Sequence, residues 1–196
     1  MCIRDGAWAE DDGLLARYRG ERTGWPAPVL DPDVPYRPLA PLPERPPHPA
    51  DNPETKAKTA LGKLLFFDPR LSRSGRIACV SCHDPKLGWT DGRRKSLGHD
   101  QQEGQLNAPS VVNSGYLKEI FWDGRVHNLE EQALASWTNP LEMAADPQAA
   151  TRRLAAVDGY PARFDAAFGE ARLSPERIQK AIASYMPGSY THLTDP

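Results

Sequence analysis

Cysteine is scarce in this chain of 196 residues: there are three, Cys2, Cys79 and Cys82. A structural zinc site needs four ligands and usually a second paired cluster, and no second cluster exists. A redox dithiol of the thioredoxin kind belongs beside a βαβ pattern, which is also lacking. No run of about eighteen apolar residues occurs, so nothing reads as a membrane-spanning helix. The formal charge of −2 leaves no basic stripe, which argues against nucleic acid as a partner. Sustained alternation of apolar and polar residues is absent, so no segment reads as a strand. Hydrophobic residues at 39% and charged residues at 26% fit a globular chain with a modest core, long enough for one domain with a long arm.

The two close cysteines fall in Cys79-Val80-Ser81-Cys82-His83. Thiols three residues apart can form thioethers to both vinyl groups of one haem, and the next histidine can then bind the iron from one face. Covalent c-type haem is therefore the reading these residues support. What such a domain does depends on the other axial position. A permanent ligand there makes an electron carrier, whereas a site that opens beside an acid or base can activate peroxide. His99, sixteen residues after His83 on a loop, and Met143, beside Glu142, are candidates for that face. Spacing alone does not choose between them.

Proline is abundant, 20 residues, and concentrated between positions 20 and 53, as in Pro41-Leu-Pro-Glu-Arg-Pro-Pro-His-Pro49. Missing donors and a fixed φ exclude helix or central strand there. Residues 1–50 read as a Pro-rich N-terminal arm, either a disordered leader or an extended strap lying on the folded part. Residues 51–186 read as the haem domain, all-α with long loops. A helix is expected from Pro53 to about Phe67, with Asn52 as its cap and Pro53 at its first position. Asn107-Ala-Pro-Ser110 predicts a short helix through Val111 and Val112. Asp123-Gly124 predicts a tight turn within Phe121–Arg125. Asn128 with Glu131 predicts a capped helix over Leu129–Trp137. Asp146-Pro147 starts another, reaching Val157 before Gly159, and Tyr160–Phe168 and Pro175–Tyr185 complete the set.

The opening residues lack the apolar core of a secretory signal. Attachment of c-type haem is expected outside the cytoplasmic membrane, so the two observations conflict. The first five residues and residues 187–196 resemble translated sequencing-adaptor sequence. The expectation is a gene fragment trimmed at both ends, its tail non-native and its signal peptide lost by truncation.

From Pro41 to Met143 the chain resembles the N-terminal haem domain of bacterial di-haem cytochrome c peroxidases and their MauG-like relatives. The matching blocks, in order, are Leu61–Ser72, Cys79–Pro85, Asn107–Ser110, Phe121–Arg125, Leu129–Ala133 and Glu142-Met143. The resemblance implies a cytochrome c-like haem domain that reduces hydrogen peroxide, with electrons from a small cytochrome c or copper protein, in the periplasm. It makes His83 the proximal ligand of the peroxidatic haem and Cys79 and Cys82 its anchors. His99 falls on a distal histidine that ligates the resting iron and swings away on activation. Glu142 falls on the glutamate that handles the peroxide proton, Gln132 on a pocket glutamine, and Trp122 on a tryptophan between two haems. Asn107 falls on a contributor to a calcium (Ca2+) site. The resemblance also implies a second haem domain, missing here, and allows a homodimer of the full-length protein. Leu106 stands where the family usually has arginine. Two alternatives remain: a mono-haem electron-transfer module with His83 and either His99 or Met143 as permanent ligands, and a MauG-like enzyme oxidising a protein.

Overall fold

The computed structural model describes residues 16, 18–36, 38 and 40–186. The chain divides into two units, Met1–Pro41 and Leu42–Pro196. The expectations for the first five residues and for 187–196 lie outside the described residues. In the first unit the described backbone is mostly irregular, as its prolines require, with one 3-10 turn at Arg22–Gly24. There Trp25 packs edge-on against Tyr18 and donates from Nε1 to the Gly20 carbonyl at 3.1 Å. The end of the proline-rich stretch belongs to the second unit, where the Tyr116 hydroxyl donates to the Pro43 carbonyl at 2.6 Å.

The described residues of the second unit fold into five α-helices: α1 (Lys56–Phe66), α2 (Leu129–Thr138), α3 (Pro147–Ala155), α4 (Tyr160–Phe168) and α5 (Pro175–Tyr185). Among the described residues there are no strands, only isolated bridges such as Asp84 with Thr90 and Ile120 with Val126. The all-α reading holds. Local capping chemistry starts most of the helices. The side chains of Asn128, Asp146 and Ser174 accept from Glu131, Gln148 and Arg177 main-chain N–H groups, and prolines take the first positions of α3 and α5.

Two local expectations need correction. α1 begins at Lys56, not Pro53, and its cap is Thr55, whose hydroxyl accepts from Lys58 N–H at 3.2 Å. Asn52 is buried and has other partners. Its amide donates to Glu130 at 2.6 Å and to the Lys180 carbonyl at 3.0 Å, and its oxygen accepts from Lys58 Nζ at 3.2 Å. It thereby ties the approach to α1 onto α2 and α5. The short helix expected after Asn107 does not form. Pro109 disfavours a helical Ala108, and Ser110 donates to the Gly88 carbonyl while accepting from Val112 N–H, a local turn that competes with helix. A 3-10 turn follows only at Ser114–Tyr116.

α1 and α5 form the central crossing. A Cβ on Gly62 would meet the Ala181 carbonyl and the Tyr185 Cβ, so glycine permits this close approach. Leu61, Leu65, Ile178 and Ala181 are buried around it. After α1, Asp68 organises the turn that follows. It accepts from Arg70 N–H at 2.9 Å, from the Arg70 guanidinium at 2.7 and 2.8 Å, and from the Tyr160 hydroxyl at 2.6 Å. Trp137 Nε1 donates to the Leu71 carbonyl at 2.8 Å, Arg153 to the Ser72 carbonyl at 2.7 Å, and Ile77 N–H to Ser72 Oγ at 3.1 Å. The block Leu61–Ser72 is thus a brace joining α1 to α2, α3 and α4, and it delivers the chain to Cys79.

Candidate haem site

Cys79–Ser81 is a 3-10 turn, and the N–H groups of Cys82 and His83 both donate to the Cys79 carbonyl at 3.1 Å. Both thiols and the imidazole line one cavity wall. The thiols are not linked as a disulfide. Burial pushes Cys79 up to about 12 and Cys82 up to about 11, the opposite of a reactive redox dithiol. Among the described residues no group of three or more His, Cys, Asp or Glu side chains gathers as a metal cluster.

His83 is oriented from behind. Its Nδ1 lies 3.2 Å from the Trp89 carbonyl, so with that proton donated Nε2 keeps its lone pair. The carbonyl is aimed by a tight turn: Asp84 N–H donates to Thr90, Trp89 N–H donates to Asp84, and Trp89 itself has φ +63°. Burial holds the His83 pKa below its ordinary value, which favours the neutral ring that ligates metal. Phe66 packs beside it, with ring centroids 6.3 Å apart, and is itself flanked edge-on by Trp89 and Tyr185.

The larger cavity has a volume of about 520 Å³. It adjoins a smaller one into which Cys79, Phe66 and Met143 face, and Cys82, His83, Gln132, Ser136 and Glu142 line both. Glu142 and Gln132 thus line the same two cavities as His83. Glu142 accepts from Asn139 Nδ2 at 2.7 Å. Burial raises its carboxyl pKa, and hydrogen bonds from Ser136 and Asn139 only partly oppose that rise. Trp122 lines the larger cavity and is 63% exposed, with Nε1 donating to the Asn107 carbonyl at 3.3 Å. Asn107 is exposed on the same wall beside exposed Leu106. The turn Phe121–Arg125 forms as expected, closed by Gly124 N–H to the Phe121 carbonyl, and Arg125 stacks 3.6 Å over the Phe121 ring.

His99 is placed differently. Its neighbour Gly98 lines the cavity, whereas His99 itself does not. The His99 side chain is mostly buried, with Nε2 3.2 Å from Asp100 and Nδ1 without a partner. Its main chain is bound to the Glu142 segment: His99 N–H donates to the Glu142 carbonyl at 2.7 Å, and a Cβ on Gly98 would strike Leu141 and Glu142. The loop closes through Asp100 and Gln101, both with positive φ. Sequence reasoning missed Ser136 and Asn139. The available signal for Ser136 was its position four residues after Gln132 on one helix face.

A cavity of this size lies in the usual ligand range of about 300–1,000 Å³. With Cys82 and a neutral histidine on its wall and Cys79 facing the adjoining smaller cavity, it fits a c-type haem anchored at Cys79 and Cys82 and ligated by His83, and the fold and site define a cytochrome c-like haem domain. The chain belongs to the di-haem cytochrome c peroxidase family, whose description matches residues 56–192. It is 41% identical over 172 residues to the methylamine utilization protein MauG of Methylophilus methylotrophus, covering 88% of this chain and 50% of that protein. It is 45% identical over 136 residues to the cytochrome c551 peroxidase of Nitrosomonas europaea, covering 69% of this chain and 41% of that protein. A crystal structure of a MauG-like protein associated with microbial copper homeostasis superposes with a TM-score of 0.68 at 32% identity, covering 84% of this chain and 50% of that one. The chain thus spans half or less of the length of these relatives.

Proposed function

We propose that this chain is the peroxidatic haem domain of a periplasmic di-haem cytochrome c peroxidase. It would reduce hydrogen peroxide to two waters, taking two electrons from a small cytochrome c or copper protein and two protons from solvent. The observation that carries this reading is Glu142, a partly buried carboxyl lining the same cavity as His83. The haem, when bound, supplies an iron that binds peroxide and passes it electrons. The protein's part is positioning and proton transfer. Cys79 and Cys82 would anchor the group, and His83, its Nδ1 directed to the Trp89 carbonyl, would ligate the iron through Nε2. Asn139 holds Glu142 Oε1 and orients the carboxyl, which would take the proton from peroxide and return it to the departing oxygen. Such acid–base help is worth about 10²- to 10⁴-fold. Gln132 lies beside that path, and Trp122, exposed at the cavity wall, suits electron entry from a second haem domain.

Within the same reading His99 is the resting distal ligand, Asn107 contributes to a calcium site, residues 1–50 form the arm and 51–186 the domain, and the full-length protein can pair as a homodimer. Identity to MauG favours a second reading, a protein-oxidising di-haem enzyme. The reduced full-length holoprotein, given reduced cytochrome c and hydrogen peroxide, tests the choice. Steady peroxide consumption is expected. Its absence, with a c-type pyridine haemochrome band present, overturns the peroxidase reading.

A further inference from the structure

Ser136 faces both cavities between Gln132 and Glu142. Helical spacing places it over Gln132, whose Nε2 donates to Ser136 Oγ at 3.0 Å. A helical hydroxyl commonly bonds the carbonyl four residues back. Thr138 and Ser184 do so, donating to the Leu134 and Lys180 carbonyls at 2.9 and 2.8 Å. Among the described residues Ser136 makes no such bond, so its proton remains for the cavity side. The Glu142 carboxyl lines the same two cavities, and Asn139 holds it through Oε1 at 2.7 Å. Asn139 is fixed in turn, its N–H donating to the Ala135 carbonyl and its Oδ1 accepting from Leu141 N–H, both at 3.0 Å.

We propose that Ser136 is a positioning residue of the peroxide site: its hydroxyl receives the Gln132 amide and donates to Glu142, locking both side chains in one orientation toward the cavity. The proposal rests on the peroxidatic reading and names a residue that acts through the two beside it. Ser136→Ala frees both partners without opening a large void, and Ser136→Thr keeps the hydroxyl.

The test uses the full-length holoprotein as wild type, Ser136→Ala and Ser136→Thr. Two readouts serve: steady-state peroxide consumption, and the C–O stretching band of the reduced protein under carbon monoxide, which responds to polar groups around the iron. Loss of one hydrogen bond predicts about a 3- to 10-fold fall in kcat for Ser136→Ala. Its carbon monoxide band should broaden or split as Gln132 and Glu142 sample several orientations. Ser136→Thr should restore the rate and a single band, with all three urea midpoints alike. A Ser136→Ala variant with wild-type rate and band overturns the role of Ser136 alone. A wild-type holoprotein that consumes no peroxide overturns the peroxidatic reading on which it rests.

Discussion

Asp68→Asn removes a charge with little change of shape from a side chain that is 5% exposed. Asparagine can keep the bond from Arg70 N–H through Oδ1. Its Nδ2 then faces two donors, and the Tyr160 hydroxyl can turn to accept while the guanidinium cannot. Hydrogen bonds to charged groups are worth about 1.5–3 kcal/mol each, and solvent screens part of this one because the Arg70 side chain is 48% exposed. The expected loss is about 2–3 kcal/mol, or about 5–10 °C in Tm for a domain of this size. Burial opposes ionisation of Asp68, but the hydrogen bonds from Arg70 and Tyr160 outweigh it and hold its pKa below the ordinary 3.8. A depressed folded value gives stability that is present above the unfolded pKa and lost as pH falls through the folded one. Urea unfolding of the holoprotein, followed by tryptophan fluorescence, should show a constant gap between wild type and variant from about pH 7 to pH 5 that closes below about pH 4. A gap under about 0.5 kcal/mol at neutral pH, the range of an ordinary surface change, would refute the assignment of Asp68 as the brace.

Gly62→Ala places a methyl against the Ala181 main chain, which cannot yield without separating α1 from α5, and should cost more than about 2 kcal/mol in the same urea assay. Glu142→Gln should slow peroxide consumption by about 10²- to 10⁴-fold while the haemochrome spectrum stays unchanged. Because burial raises the Glu142 pKa and the base form is needed, wild-type activity should be lost as pH falls through that raised value, an acid limb that stopped-flow profiles would find missing in the variant. His99→Gly should leave a high-spin, peroxide-reactive resting iron, and an unchanged low-spin absorption spectrum would assign the resting ligand to another residue.

Local chemistry made much of the fold readable. The helices begun by Asn128 and Asp146-Pro147 start where their caps predict, because a cap and its acceptor lie within one turn. Asn52 reads identically and behaves otherwise. Its partners, Glu130 and the Lys180 carbonyl, are 78 and 128 residues away, and burial among them outweighs a cap worth about 1 kcal/mol. Asn107-Ala-Pro-Ser110 fails for a similar reason, since the Ser110 hydroxyl reaches the Gly88 carbonyl across the cavity wall.

The Cys79–His83 motif was legible as a candidate haem anchor because thioether chemistry fixes both residue type and spacing. The groups that orient it were not, because they are main chain. Any residue at position 89 offers a carbonyl, and what aims this one at His83 Nδ1 is a left-handed φ set by the Asp84–Thr90 turn. The same holds where the loop bearing His99 is tied to Glu142 through backbone N–H and carbonyl. That tie constrains any movement of His99. A side-chain rotation leaves the 2.7 Å bond intact and Glu142 in place. A displacement of the loop main chain breaks it and releases the Glu142 backbone, so Glu142 and His99 can move independently only if the change is confined to the imidazole.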